Sequence, residues 1–381
     1  MSRQRVCRID VWVYRVALRA PVATSFGVMK DRPAVFLRLE DSDGAYGFGE
    51  IWCNFPAHGA EHRARLLIDE LAAIVFALDA SEPASIFARL SALTHVRALQ
   101  TGEPGPYAQV IAGLDIAGWD LKARAAAKPV RALLNDAAPD AVPAYASGIH
   151  IRHAEKTVAA CRAQGHRAFK VKVGFDLADD CARLKQLAGA LGTQERLFAD
   201  ANQAWDIDAA VRFVSSLDDA PVGWLEEPLA ADAPQSDWER LGAVSAVPLA
   251  AGENLVGKGA FERMIASGSI AYIQPDIAKW GGFTGCLEVA RTARQAGRTY
   301  CPHYLGGGIG LLASANLLAA AGGNGLLEVD VNPNPLRDAF LDEGQLRPDG
   351  QFRLPPKPGL GVDALPDALD PHEILHETVT A

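Results

Sequence analysis

The chain has little with which to build a thiol scaffold. Its six cysteines, Cys7, Cys53, Cys161, Cys181, Cys286 and Cys301, never form a C-x-x-C pair. That spacing excludes a zinc knuckle or disulfide framework and leaves reduced thiols, as expected of a cytoplasmic protein. Positive charge is also scarce: 37 Lys and Arg face 46 Asp and Glu, a net charge of −9. Neither nucleic acid nor a membrane surface is therefore expected as partner. No apolar run approaches the roughly 18 residues of a membrane span. The N-terminus MSRQRVCRIDVWVYRV passes straight into strand alternation, without the apolar core and small-residue cleavage site of a secretion signal.

What remains is a chain of 381 residues, 49% hydrophobic, enough for a large core and two domains. From Val6 to about Ile51 the pattern alternates, with a turn at Asp43-Gly44, and predicts an antiparallel meander. Ala20 to Pro33, with an exposed-looking Phe26, is too irregular for a strand or a helix and is expected to be a mobile loop. Apolar residues recur at helical spacing from Glu61 to Lys128, with Val110, Leu114, Ala117 and Leu121 on one face. Beyond Pro129, eight short apolar runs alternate with alanine-rich amphipathic helices: VPAYAS, AFKVKVG, RLFAD, VGWLEE, VPLAAGE, IAYIQPD, TYCPH and GLLEVD. Eight βα units of roughly 25 residues are close to what a (β/α)8 barrel needs. No G-x-G-x-x-G follows the first run, which disfavours a doubly wound sheet. The expected fold is α/β, a modified (β/α)8 barrel over residues 131–337. An α+β domain over 1–130 precedes it, and a segment over 338–381 returns to that domain.

Strand C-termini face the active site in such a barrel, so a charged residue ending an apolar strand is expected to be catalytic. Asp200, Glu226 and Glu253 end three consecutive strands and offer three hard oxygen donors to one magnesium ion; no cluster of Cys or His invites zinc. Lys170 and Lys172 share one face of the preceding strand. Each beside the other and near a divalent cation, a lysine pKa is expected to fall toward that of a general base. Asp276 and His303 end the sixth and seventh strands, where the carboxylate can fix the imidazole tautomer. Glu328 ends the eighth. His58, His62, His95 and His166 read as core or surface residues.

Taken together, FKVKVG at 169–174, Asp200-Ala201-Asn202, Leu225-Glu226-Glu227-Pro228, Gly252-Glu253-Asn254, Pro275-Asp276-Ile277-Ala278-Lys279, Pro302-His303 and Leu327-Glu328 resemble the enolase superfamily, mandelate racemase subgroup, over essentially the whole chain. The resemblance implies that Glu226, not Glu227, is the metal ligand, and that Lys172 and His303 are acid/base catalysts on opposite faces of the substrate. It further implies that Lys170 and Asn202 contact substrate oxygens and that Glu328 hydrogen-bonds the substrate carboxylate. The first domain would cap the barrel through the loops at 20–33 and 52–55. Dehydratases with Asp-x-His after the third strand differ from Asp200-Ala201-Asn202. The lactonizing branch uses a lysine after the sixth strand, but His303 makes Lys279 a supporting residue.

The expected activity is Mg2+-dependent removal of the α-proton of a small-molecule carboxylate through an enediolate, foremost the dehydration of a sugar acid. Racemisation of a 2-hydroxy acid or cycloisomerisation of an aldarolactone is the alternative, and a Schiff-base aldolase using Lys170 or Lys172 is a remote one. A homo-oligomer is expected, with specificity in the cap loops and residues such as His150 or Tyr304.

Overall fold

The computed structural model describes residues 5–381 apart from Ser25, Phe26, Ala57, Asp218 and Glu343; for 19–24 it describes the backbone alone. The N-terminal strands β1 (Val6–Thr24), β2 (Gly27–Asp41) and β3 (Tyr46–Ile51) form the expected meander, and β13 (Glu373–Thr380) completes a sheet of order β13-β1-β2-β3. At the β2–β3 turn the Asp41 carboxylate accepts from the backbone of Asp43 and Ala45, while Gly44 takes φ 83°. The described residues of the segment from Ala20 to Pro33 are strand and not loop. β1 and β2 continue as a ladder through Val22↔Met29 and Thr24↔Gly27 after a register shift past Ala17. Backbone pairing needs no side-chain alternation, which is why pattern reading missed it. Phe26 lies outside the described residues.

One face of this sheet buries Ile9, Val11, Val13, Val35, Leu37 and Leu39 against helices. These are α1 (Gly59–Arg65), α2 (Ala72–Ala77), α3 (Pro83–Thr101) and α4 (Pro104–Ala125), with a π-helical turn over Leu66–Leu71. Val110, Leu114, Ala117 and Leu121 do share the buried face of α4. Proline at the first turn of α3 and α4 costs no backbone hydrogen bond there. α4 lies so close on β3 that a Cβ at Gly47 or Gly49 would meet the helix backbone at 2.2 Å, so only glycine serves at either position.

After a short α5 (Val130–Leu134), eight parallel strands alternate with helices: β4 (Ala141–His150), β5 (Ala168–Lys172), β6 (Arg196–Asp200), β7 (Val222–Glu226), β8 (Leu249–Ala251), β9 (Tyr272–Ile273), β10 (Thr299–Tyr300) and β11 (Leu327–Asp330). The helices are α6 (Ala154–Ala163), α7 (Leu177–Gly189), α8 (Ile207–Ser216), α9 (Gln235–Val244), α10 (Lys258–Ser267), α11 (Gly282–Gln295) and α12 (Gly308–Ala321), followed by α13 (Pro335–Asp338). Asp176 and Asp206 start α7 and α8 as N-caps, accepting from Asp179 N and Ala209 N. β11 returns to pair with β4, while Cys301 and Leu326 join β10 to β11 by contact without a backbone ladder. β12 (Gln351–Arg353) pairs with the start of β4. Among the described residues no helix is long and apolar enough to cross a membrane.

Buried carboxylates lock the first domain onto the barrel. Glu50, near the end of β3, accepts from Gly307 N at 2.6 Å and Gly310 N at 2.8 Å, at the start of α12. Asp115, from α4, accepts from the Thr284 backbone and hydroxyl in the first turn of α11. A buried carboxylate at a helix N-terminus meets amide donors that lack intrahelical partners. Burial nevertheless outweighs these bonds and pushes Glu50 up to about 7. The folded state therefore keeps a proton that the unfolded chain loses near 4.5, so stability declines as pH rises from about 4.5 to 7. Removing this ionisation by Glu50→Gln should shift relative stability in the variant's favour across that window, on the order of 3 kcal/mol. Urea titrations of both proteins at pH 5 and pH 7.5 check this; a pH-independent difference would contradict it.

Candidate active site

Strand alternation decides which side chains reach the barrel mouth. One residue on or adjoining each strand builds an interior apolar cluster: Tyr145, Ala168, Phe198, Trp224, Ala250, Tyr272, Cys301 and Leu326. The ring stack of Phe198 on Trp224, 3.5 Å between centroids, and Tyr145 edge-on to Trp224 make this a dry floor. Facing repeats every second residue. The next inward positions are Ser147, Lys170, Asp200, Glu226, Gly252, Gln274, His303 and Glu328. Seven carry polar side chains, and the eighth, Gly252 at φ 138°, interrupts the alternation so that Glu253 follows into the site. Backbone strain gathers here too, with Asn202 at φ 43°, Gln203 at φ 63° and Glu227 at φ 39° just beyond β6 and β7.

Lys170 is fully enclosed, its Nζ 2.5 Å from Glu226 Oε1, 2.7 Å from Glu328 Oε1 and 3.5 Å from Asp200 Oδ2. Lys172 Nζ lies 2.6 Å from Asp200 Oδ2. Across the mouth, Asp276 and His303 form an isolated parallel bridge, and Asp276 Oδ2 holds His303 Nδ1 at 2.8 Å. This turns Nε2 inward, 2.5 Å from Glu253 Oε2 and 3.7 Å from Glu328 Oε2. Lys279 reaches Asn254 Oδ1 at 3.1 Å and Glu253 Oε1 at 3.5 Å, and stacks over Trp52 of the first domain.

These residues form one charge cluster, yet Asp200, Glu226 and Glu253 are not drawn to a common point. Among the described residues no three acids, histidines or cysteines are gathered at ligand spacing. Each acid turns onto a cation of the chain instead. The donor set still suits a hard divalent cation. Six mouth carboxylates (Asp200, Glu226, Glu227, Glu253, Asp276, Glu328) face Lys170, Lys172, Lys279 and His303, so that with all six ionised two negative charges would be uncompensated even with His303 protonated. Glu253 Oε2 is buried against His303 Nε2, the ring nitrogen it would have to release to take a cation. Burial, then the neighbouring acids, pushes Glu226 up to about 8 despite Lys170, while burial and Glu253 hold Glu227 well above the carboxylate range.

The lysines behave differently from the expected depressed base. Burial pushes Lys172 down, but Asp200 and its neighbours outweigh this and hold the ammonium above its usual value. Lys170 is raised further by Glu226 and Glu328, which also outweigh burial. A fall would require the divalent charge that the expectation invoked. Lys170 is thus a buried counter-ion here, and Asn202 donates its backbone N–H to Asp200 Oδ1. Among the residues offered for specificity, Tyr304 is structural: its hydroxyl donates to Gly307 O and its N–H to Glu328 Oε2. His150, paired in register with Lys172, stacks on Phe175 at the rim.

Several contributors escaped sequence reading. Ser147 donates to Glu328, and Gln274 and Trp224 donate to Glu226 Oε2. The two-residue offset from the apolar layer would have found Ser147 and Gln274. A cleft of about 670 Å3 lies apart, lined by Ile151, Lys156 and Arg183 among others, and holds none of these groups.

Two family profiles match the chain: the mandelate racemase / muconate lactonizing enzyme N-terminal domain over residues 8–135, and the enolase C-terminal domain-like family over residues 152–368. This chain belongs to the mandelate racemase/muconate lactonizing enzyme family of the enolase superfamily. Within the family, the 3,6-anhydro-alpha-L-galactonate cycloisomerase of Streptomyces coelicolor is 30% identical over 93% of this chain and 96% of its own. A solved mandelate racemase/muconate lactonizing enzyme from Bordetella bronchiseptica RB50 is 48% identical, with TM-score 0.88, covering 94% of this chain and 97% of that one. The L-talarate dehydratase of Polaromonas sp. JS666, solved with Mg and L-glucarate, is 25% identical, with TM-score 0.85, covering 99% and 100% of the two chains.

In this family member the buried lysine carries a stability consequence. Lys170→Met strips Glu226 and Glu328 of their shared counter-ion and should cost about 3–5 kcal/mol at pH 8. The loss should shrink near pH 5, where the orphaned acids take up protons. Urea denaturation at both values tests this.

Proposed function

We propose that this protein removes the α-proton of a carboxylate substrate with magnesium bound by Asp200, Glu226 and Glu253, and that it dehydrates a sugar acid. The observation that carries the reading is the pair of proton carriers, Lys172 on β5 and His303 beyond β10, set across one shared acid cluster. Supporting it, the Polaromonas relative is named a dehydratase and was solved with Mg and a sugar acid.

Removing the proton next to a carboxylate gives an enediolate with two negative charges, so charge stabilisation dominates the barrier. When bound, magnesium supplies two positive charges beside those oxygens, each unit pair at 4 Å being worth about 4 kcal/mol at an effective dielectric of about 20. Lys170 adds a third charge by exchanging a carboxylate contact for a substrate oxygen, and Asn202 orients the substrate. Glu328 hydrogen-bonds the substrate carboxylate. Asp276 holds the His303 ring so that Nε2 alone faces the substrate. One of Lys172 and His303 takes the α-proton; a protonated carrier then delivers a proton to the β-hydroxyl. The C–O bond breaks, water leaves, and the enol ketonises to a 2-keto-3-deoxy acid. Cycloisomerisation of a lactone is the second reading, favoured by the 28% identical D-galactarolactone cycloisomerase of Agrobacterium fabrum; there the ring oxygen leaves in place of water.

Proton NMR in D2O with magnesium and a panel of hydroxy acids, aldarates and lactones separates these outcomes. A keto-deoxy product supports dehydration, while deuterium uptake without net conversion points to racemisation. Lys172→Ala should lose exchange from one α-epimer and His303→Asn from the other, each by about 10²–10⁴-fold. Full activity in either variant would remove its assigned role.

Metal binding has its own readout. At 100-fold over its dissociation constant, magnesium should stabilise the wild-type fold by about 2.7 kcal/mol, and Asp200→Asn with Glu226→Gln should abolish the shift. An unchanged melting temperature in wild type would sink the metal assignment.

A further inference from the structure

The end of β11 holds a second polar cluster that the chemistry above does not use. Arg32, from β2 of the first domain, crosses to the barrel and places Nη2 2.8 Å from Asp330 Oδ2. Its side chain is only 2% exposed, yet Nε and Nη1 have no hydrogen-bond partner. Leaving donors of a buried charged group unsatisfied is costly, so such an arrangement calls for a further acceptor. Asp330 cannot supply it. Its Oδ1 already accepts from the side chain and backbone of Asn332, and its Oδ2 also lies 3.7 Å from Arg337 Nη1. Arg337 is also paired with Asp338 at 2.6 Å, so the charges here balance, and it is the two unpartnered donors of Arg32 that an added anion would satisfy. Gly148 lets this cluster pack closely on β4, since a Cβ there would strike Asn332 Nδ2 at 2.4 Å and Asp330 Oδ1 at 2.5 Å.

The position relative to the reacting end follows from register. Asp330 lies two residues beyond Glu328 on the same face of β11, about 6.6 Å further toward the mouth. A sugar acid with one carboxylate beside Glu328 and Lys170 would extend its far end in this direction.

We infer that Arg32 forms a subsite for a second carboxylate, so that the substrate class is the diacid, with a carboxylate at each end. This rests on the proposed α-proton chemistry for the placement of the first carboxylate. Arg32 acts as a binding residue and leaves the proton transfers to Lys172 and His303. An arginine suits the task because its planar donors match a carboxylate and stay charged at any working pH.

The test compares aldarates with the aldonates of the same carbon skeleton, which end in a hydroxymethyl group. Wild-type protein with magnesium should favour the diacid in kcat/KM by on the order of 10- to 100-fold. Arg32→Gln should erase that ratio by lowering kcat/KM for the diacid far more than for the aldonate, mainly through KM; Arg32→Lys should restore part of it. A purely structural link between domains would lower both substrates alike and overturn the inference, as would a wild-type enzyme indifferent to the second carboxylate. Should neither class exchange its α-proton, the proposed reaction fails, and calorimetry of diacid binding to wild type and Arg32→Lys decides the subsite separately. Diacid binding no tighter than monoacid binding then rejects it.

Discussion

Charges buried at the mouth of the barrel must compensate one another, because the aromatic floor below excludes water and the capping domain covers them from above. That constraint organises the site. Lys170 is neutralised by three acids at once, His303 is gripped between Asp276 and Glu253, and Lys279 spans Glu253 and the ring of Trp52. The carboxylates still outnumber the cations. The raised Glu226 and Glu227 carboxyls register that excess, and a bound divalent ion would relieve it.

The same logic, with backbone dipoles in place of side-chain cations, joins the two parts of the molecule. Glu50 and Asp115 each carry a buried carboxylate from the first domain into the first turn of a barrel helix. Arg32 makes a third crossing, to Asp330. Glu50 and Asp115 would be costly to bury alone, so these two hold the cap in one orientation over the barrel mouth. Residues contributed by the cap and the charged residues at the strand ends are thereby kept in fixed relation.

Much of the fold was legible because barrel strands obey a simple rule. Apolar runs bounded by helical segments recur eight times, and all eight appear as parallel strands in the expected order. The residues ending them were recognisable because a charge at the end of an apolar strand has few reasons to be there except chemistry. What escaped detection was contact between distant segments. Ser147, Gln274 and Arg32 are ordinary polar residues in their local sequence, and their roles exist only through partners 48 to 298 positions away. The continuation of β1 and β2 through Ala20 to Pro33 was hidden for a related reason: it rests on backbone hydrogen bonds that leave no trace in side-chain pattern.

The sequence alone therefore determined the strand count, the α/β class, and the set of lysines, acids and histidine that converge at one end of the barrel, since period-two alternation and strand termini are local properties. Tertiary structure alone decided how those charges pair. It buried Lys170 among Asp200, Glu226 and Glu328, turned the Nε2 of His303 toward Glu253, and brought Arg32 over Asp330. Pairing energies depend on distance and desolvation, and both are set by which segments the fold brings together.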